Sequence, residues 1–282
     1  MDGSRRETMR RVLQTVLLLI VAVWLALALL AVFSDRLIFH PQSSTYRDAD
    51  LAQQGAQVFK LRSGDKTITA AYLPNAQARY TLLFSHGNAE DLGDDLPLLK
   101  AFRSAGYGVF AYDYRGYGTS EGTASEKAVY QDVTAAYDYL TRTLSVPPER
   151  VISFGRSLGS AAAIELAATR PVAGLIVEAP FLSAFRVITR VQLLPWDKFE
   201  NARKMRHIRQ PVLVIHGRND GIVPFWHGQR IYDLASQPKR SLWIDRAGHN
   251  DVLFVAQQQY FDALRDFGPW LDQLSNDRQA AP

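Results

Sequence analysis

The stretch VISFGRSLGS, residues 151–160, changes character at its middle. Val151-Ile152-Ser153-Phe154-Gly155 has the β-branched and aromatic content of a buried strand. Leu158–Thr169 follows as an alanine-rich helix. Between them, Gly155-Arg156-Ser157-Leu158-Gly159 sets one serine between two glycines. A serine on so sharp a strand-to-helix turn sits in strained backbone, and side chains two residues to either side would collide with strand or helix. The helix beginning near Leu158 aims its free N–H groups at the same point. This is the setting of a nucleophile. A serine that merely caps a helix in a tight turn meets the same pattern, so the rest of the chain has to decide.

Working outward, strands and helices alternate. AQVFKLR and TITAAYL read as paired strands around the turn SGDK. YTLLFSHG, GVFAYDYRGYG, VISFG, AGLIVEAP, PVLVIHG and RSLWIDRAG read as further strands. Helices are expected at Leu92–Ser104, at Ser125–Thr143 with Ser125 as N-cap, at Leu158–Thr169 and at Phe225–Ser236. A closing helix over Val252–Leu271 is expected to break or kink at Gly268-Pro269. Alternation at this spacing predicts an α/β fold, a mostly parallel sheet wrapped on both faces by helices. Such sheets carry their sites at the carboxyl ends of the strands.

A serine hydroxyl needs a base, and the base needs an orienting carboxylate. VLVIHGRNDGIVP ends a strand in a loop carrying Asp220, and LWIDRAGHND ends the next in a loop carrying His249. Both follow Ser157 in the order Ser…Asp…His. Of the six histidines, His86 and His216 precede glycines in strand-end turns and suit a bracing role. Asp251 reads as the cap of the last helix, Asp245 lies inside a strand, and Asp113 secures its own loop. Glu178, at the end of LIVEAP, is a rival acid. The oxyanion requires two backbone donors. Leu158 supplies one by the geometry of the turn, and Asn88, after His86-Gly87, the other, with Ala89 as runner-up.

LLFSHGNAEDLG, YDYRGYGTSEG, SEKAVYQDVTAAYDYL, FGRSLGS, VLVIHGRNDGIVPFWHG and AGHNDV, taken in order, resemble the α/β-hydrolase superfamily over residues 55–275. Within it the chain resembles the membrane-associated α/β-hydrolase-domain proteins that include depalmitoylating serine thioesterases. The resemblance implies nucleophile Ser157, acid Asp220, base His249 and oxyanion donors Asn88 and Leu158. It implies no metal and no organic cofactor. One departure stands out: those thioesterases attach through a cysteine-rich lipidated N-terminus, whereas this chain has no cysteine.

Its attachment reads differently. Val12–Phe33 is a charge-free apolar run long enough to span a bilayer as a helix, a signal-anchor. A cleaved signal peptide is the rival, since Ala26-Leu27-Ala28 has the small-x-small form, although the run exceeds the ~7–15 residues of a usual signal core. Arg5, Arg6, Arg10 and Arg11 precede it, so residues 1–11 are expected in the cytoplasm and the domain on the extracytoplasmic side of the cell membrane. Palmitoylated cytoplasmic proteins are then out of reach as substrates. Residues 34–54 read as an extended connector and 276–282 as a tail.

The net charge of +4 in 282 residues gives no reason to expect nucleic-acid binding, and the lack of cysteine excludes disulfides and thiolate catalysis. Residues 181–210 are expected to form a short cap of one or two helices over an open pocket. From Arg186 to Arg209, seven Lys/Arg are interleaved with Val187, Ile188, Val191, Leu193, Leu194 and Trp196. That pattern reads first as a solvated cap whose apolar face covers the pocket, with contact with an anionic membrane as the alternative. The leading expectation is a membrane-anchored serine hydrolase of acyl esters or thioesters, possible lipid substrates included. A serine peptidase, an acyltransferase and a non-catalytic membrane-tethered binding protein of the same fold remain open.

Overall fold

The computed structural model describes residues 3–190 and 196–280. The chain divides into two compact units, residues 1–40 and 41–282. In the first, helix α1 runs from Gly3 to Ile38, beyond both ends of the expected 12–33 span. Its Glu7–Leu27 stretch, 21 residues, is long and apolar enough to cross a membrane.

The second unit is built on an eight-stranded sheet in the order β1-β2-β4-β3-β5-β6-β7-β8. The strands are β1 Gln57–Ser63, β2 Lys66–Leu73, β3 Thr81–Ser85, β4 Gly108–Tyr112, β5 Val151–Arg156, β6 Gly174–Glu178, β7 Val212–Gly217 and β8 Lys239–Ile244. β1 and β2 pair antiparallel, as does β2 with β4, and every later pairing is parallel. This is the α/β-hydrolase fold. All five residues of β3, β4 and β6 are buried, as strands covered by helices on both faces must be. Phe84, Phe102 and Phe154 meet with ring centroids 5.2–5.5 Å apart beneath the sheet.

Helices α3 Leu92–Ser104 and α5 Leu158–Thr169 have the expected bounds. Asp91 caps α3, accepting from the N–H of Gly93 and Asp94. α4 covers Glu126–Asp138 with Ser125 as N-cap, then continues as a π-helical turn over Tyr139–Thr143. α8 spans Trp226–Leu234. α9 extends from Val252 to Ala280 and takes up most of the expected tail. It passes through Gly268-Pro269 and breaks at Ala256 instead (φ −141°, ψ 40°). Near the proline, the Tyr107 hydroxyl donates to the Leu264 carbonyl, and the absent side chain of Gly268 lets α9 pack on Tyr80. Tertiary contacts thus hold the segment helical where the local signal is to stop.

The connector also differs from expectation. α1 reaches Ile38, and α2 forms over Asp48–Gln53. Residues from Pro41 onward belong to the second unit. Tyr46 and Leu51 are buried in its core, and Thr45 N–H donates to Asp91 at 2.8 Å. A sequence rich in polar residues with one proline reads as extended; its two apolar anchors are what dock it.

The cap contains two short helices among the described residues, α6 Ala184–Thr189 and α7 Asn201–Met205. Lys204 ties α7 down, pairing with Glu165 at 2.7 Å and with the Tyr130 hydroxyl and ring face. Val191, Leu193 and Leu194 of the expected amphipathic pattern lie outside the described residues.

Candidate active site

The strand order reverses at β3, which lies between β4 and β5. Ser85 pairs with Gly155, so the loop leaving β3 and the turn leaving β5 emerge side by side. Ser157 stands on that turn with φ 51° and ψ −116°, a strained conformation for a residue with a side chain. The flanking glycines are obligatory. A Cβ on Gly155 would lie 2.0 Å from the Gly159 carbonyl oxygen, and one on Gly159 would lie 1.9 Å from that of Ser85. The Ser157 N–H donates to the Glu178 carbonyl at 2.8 Å, which fixes the turn to β6. α5 begins at Leu158.

Asp220 and His249 come from the loops after β7 and β8. Those loops are tied to each other through Arg218 N–H to the Ile244 carbonyl and Asn219 N–H to the Ala247 carbonyl, both 2.9 Å. His249 bridges the set. Its Nε2 lies 2.9 Å from Ser157 Oγ, and its Nδ1 lies 2.7 Å from Asp220 Oδ2. The other oxygen, Asp220 Oδ1, accepts from the N–H groups of Ile222 (2.9 Å) and Val223 (2.7 Å). Burial alone would raise the Asp220 carboxyl, but hydrogen bonds from His216 and His249, with the backbone, hold it well below the usual carboxylate range. Asp220 is therefore an anion at neutral pH, placed to hold Nδ1–H and leave Nε2 facing the serine.

The rival acids are engaged elsewhere. Glu178 accepts from the Tyr260 hydroxyl at 2.7 Å and faces Arg156 at 3.6 Å. Asp245 lies just past β8 and pairs with Arg218 at 2.8 Å. Asp251 accepts from the Gly248 N–H at 2.6 Å, so its side chain braces the histidine loop, while its carbonyl accepts the Val255 N–H. Asp113 does more than secure its own loop. It accepts from the Tyr46 hydroxyl and the Leu92 N–H, and lies 3.4 Å from His86 Nε2.

In the loop after β3, where the oxyanion donors are expected, Ala89 takes a left-handed turn (φ 61°). The Asn88 side chain accepts from the Tyr117 hydroxyl at 2.6 Å. His86 Nδ1 lies 2.8 Å from the Gly87 carbonyl, and the Tyr114 hydroxyl donates to the His86 carbonyl at 2.8 Å. Burial would lower the His86 pKa, but Asp113 outweighs it and the imidazole is pushed up to about 9. Asp113 thus favours the charged form of His86, which braces the loop. His216 lies 2.9 Å from the Val223 carbonyl and 3.4 Å from Asp220, bracing the acid loop in the same manner.

Sequence reasoning passed over Glu90 and Arg156. Glu90 accepts from the Gly87 N–H at 2.8 Å and pairs with Arg156 at 2.8 Å. Arg156 occupies the free position before the serine, where the motif asks for no particular residue, so no local signal marks it.

Residues 76–202 match the family model described as serine aminopeptidase, S33. The chain is 39% identical over 197 residues to alpha/beta hydrolase domain-containing protein 17B of Homo sapiens, a match covering 69% of this chain and 67% of that protein. It is 36% identical over 214 residues to alpha/beta hydrolase domain-containing protein aho-3 of Caenorhabditis elegans, covering 75% of this chain and 64% of that protein. The chain thus spans a little under two thirds of the nematode relative. The solved structure of the esterase Pf2001 of Pyrococcus furiosus superposes with a TM-score of 0.67 at 19% identity, covering 81% of this chain and 97% of that one, and shows the shared fold.

Proposed function

We infer the chemistry from membership: the chain belongs to the α/β-hydrolase superfamily, among the alpha/beta hydrolase domain-containing proteins. It is a serine hydrolase that cleaves carboxylic esters or thioesters through Ser157, His249 and Asp220. The observation that carries this reading is His249, within 2.9 Å of Ser157 Oγ and 2.7 Å of Asp220.

In this mechanism His249 Nε2 takes the proton as Ser157 Oγ attacks the acyl carbonyl. The Asn88 and Leu158 N–H groups receive the oxyanion. Asp220, kept anionic, stabilises the imidazolium. His249 then protonates the leaving alkoxide or thiolate, and the acyl group stays on Ser157. Water, deprotonated by the same imidazole, releases the acid. No step calls for a metal or an organic cofactor.

Two features favour esters over peptides. An aminopeptidase needs unpaired carboxylates to hold the substrate's ammonium group. The carboxylates beside the serine, Glu90 and Glu178, are taken up by Arg156, Gly87 N–H and the Tyr260 hydroxyl. The cap is also short, with helices of six and five residues. It leaves Ile188 83% exposed close to Arg186 and Arg190, as suits an acyl chain delivered from an anionic lipid surface. With α1 as a signal-anchor, the catalytic unit lies on the extracytoplasmic side of the cell membrane.

The test uses the full chain in detergent micelles with a fluorophosphonate probe, then p-nitrophenyl esters, acyl thioesters, lysolipids and aminoacyl amides. Labelling that is abolished in Ser157→Ala, with turnover of esters or thioesters, is expected. A folded wild type that is not labelled would refute the serine mechanism, and a preference for aminoacyl amides would favour the peptidase.

A further inference from the structure

Arg156 stands at the centre of a network that the triad chemistry does not require. Its guanidinium contacts three segments. Nη1 lies 2.8 Å from Glu90 Oε1, Nη2 donates to Asn250 Oδ1 at 3.2 Å, and Nε lies 3.6 Å from Glu178 Oε1. The side chain is 16% exposed and Glu178 5%. Glu178 is held in turn by the Tyr260 hydroxyl, and Arg156 and Glu178 are register partners across β5 and β6.

Two of these contacts fall next to site residues in sequence, and the Glu178 carbonyl accepts the Ser157 N–H. Arg156 precedes Ser157, and Asn250 follows His249. Glu90 spends its second oxygen on the Gly87 N–H at 2.8 Å, in the His86-Gly87 peptide, one peptide before the one that carries the Asn88 N–H. That grip depends on Gly87 lacking a side chain, since a Cβ there would lie 2.6 Å from Glu90 Oε2. One carboxylate thus joins the oxyanion loop to the guanidinium, and the guanidinium joins it to the nucleophile turn and the histidine loop. Charge-assisted hydrogen bonds in a mostly buried setting are the strong kind, and a fork of fixed geometry sets angles as well as distances.

We propose that Arg156 and Glu90 are positioning residues, a paired bracket that sets the His86-Gly87 peptide leading into Asn88, Ser157 and the His249 loop relative to one another. The inference rests on the serine-hydrolase reading above. Neither residue touches the reacting atoms. Their effect is on orientation, so it should appear in kcat and leave substrate binding largely alone.

The experiment compares wild type with Arg156→Ala, Arg156→Lys, Glu90→Gln and the double variant Glu90→Gln/Arg156→Ala, all as full chains in detergent. For each, kcat and KM on p-nitrophenyl butyrate, the fluorophosphonate labelling rate and the melting temperature are measured. Arg156→Ala and Glu90→Gln should lower kcat and labelling by roughly tenfold to a hundredfold, the scale on which small misplacements act, with KM within about twofold. The double variant should be no slower than the worse single one, and Arg156→Lys should recover part of the loss. Losses that multiply in the double variant, or a kcat for Glu90→Gln within about threefold of wild type, would overturn the bracket while leaving Ser157 as nucleophile. A folded wild type without labelling would overturn the parent reading and this proposal together.

Discussion

Replacing Gly159 by alanine tests the site at its tightest point. The added Cβ would sit 1.9 Å from the Ser85 carbonyl oxygen and 2.6 Å from that of His86. Opening the first contact to about 3.0 Å, the nearest approach of real Cβ atoms, requires ~1.1 Å of movement between α5 and the end of β3. If α5 moves, Ser157 moves with it, and a 2.9 Å bond to His249 stretches to about 4 Å, beyond hydrogen-bond reach. If β3 yields, the His86–Asn88 loop recedes from Ser157, where the proposed oxyanion would form. Either way kcat should fall by about 100-fold or more. Overpacking of this kind costs about 1–3 kcal/mol, less than the ~5–15 kcal/mol stability of an ordinary domain. The variant should therefore fold, and its loss of activity should be separable from unfolding. Ester hydrolysis and fluorophosphonate labelling measure the first quantity, and urea unfolding the second. Gly221→Ala is the matched control, because a Cβ there meets nothing within 4 Å. Gly159→Ala with activity within threefold of wild type would refute the argument.

Two further outcomes follow from the same geometry. Ser157→Gly removes the proposed nucleophile and the left-handed strain (φ 51°) together, so it should abolish hydrolysis while raising stability by about 1 kcal/mol, read from urea midpoints; a stability loss would mean that the turn is not strained. His86 has its folded pKa raised to about 9, above the ~6.5 of an unfolded imidazole. Its contribution is fully present below about pH 6.5 and is lost as pH rises through 9. The urea midpoint should therefore fall between pH 7 and 9.5 in wild type more steeply than in His86→Gln, and parallel profiles would remove His86 as a charged brace.

Much of this architecture was readable along the chain because the signals are local. Strand periodicity, glycine turns and the Asp91 and Ser125 caps are properties of a few consecutive residues. The bounds of α3 and α5 follow from them. Gly268-Pro269 misleads for the opposite reason: the local tendency to break is real, but packing on Tyr80 and Tyr107 overrides it. The connector misleads likewise, since burial of Tyr46 and Leu51 depends on surfaces far away in sequence.

By itself the sequence determined the kind of fold, the apolar N-terminal helix and the order Ser157, Asp220, His249. The first two rest on composition and spacing within short windows, and the third on the order in which three strand-end motifs follow one another along the chain. Only the tertiary structure decided which carboxylate meets the imidazole, that His86 and Asp113 brace a loop, and that Arg156 joins three loops through Glu90, Asn250 and Glu178. Those pairings depend on register between strands remote in the chain, and hydrogen bonds and ion pairs form over about 3 Å whatever the sequence distance.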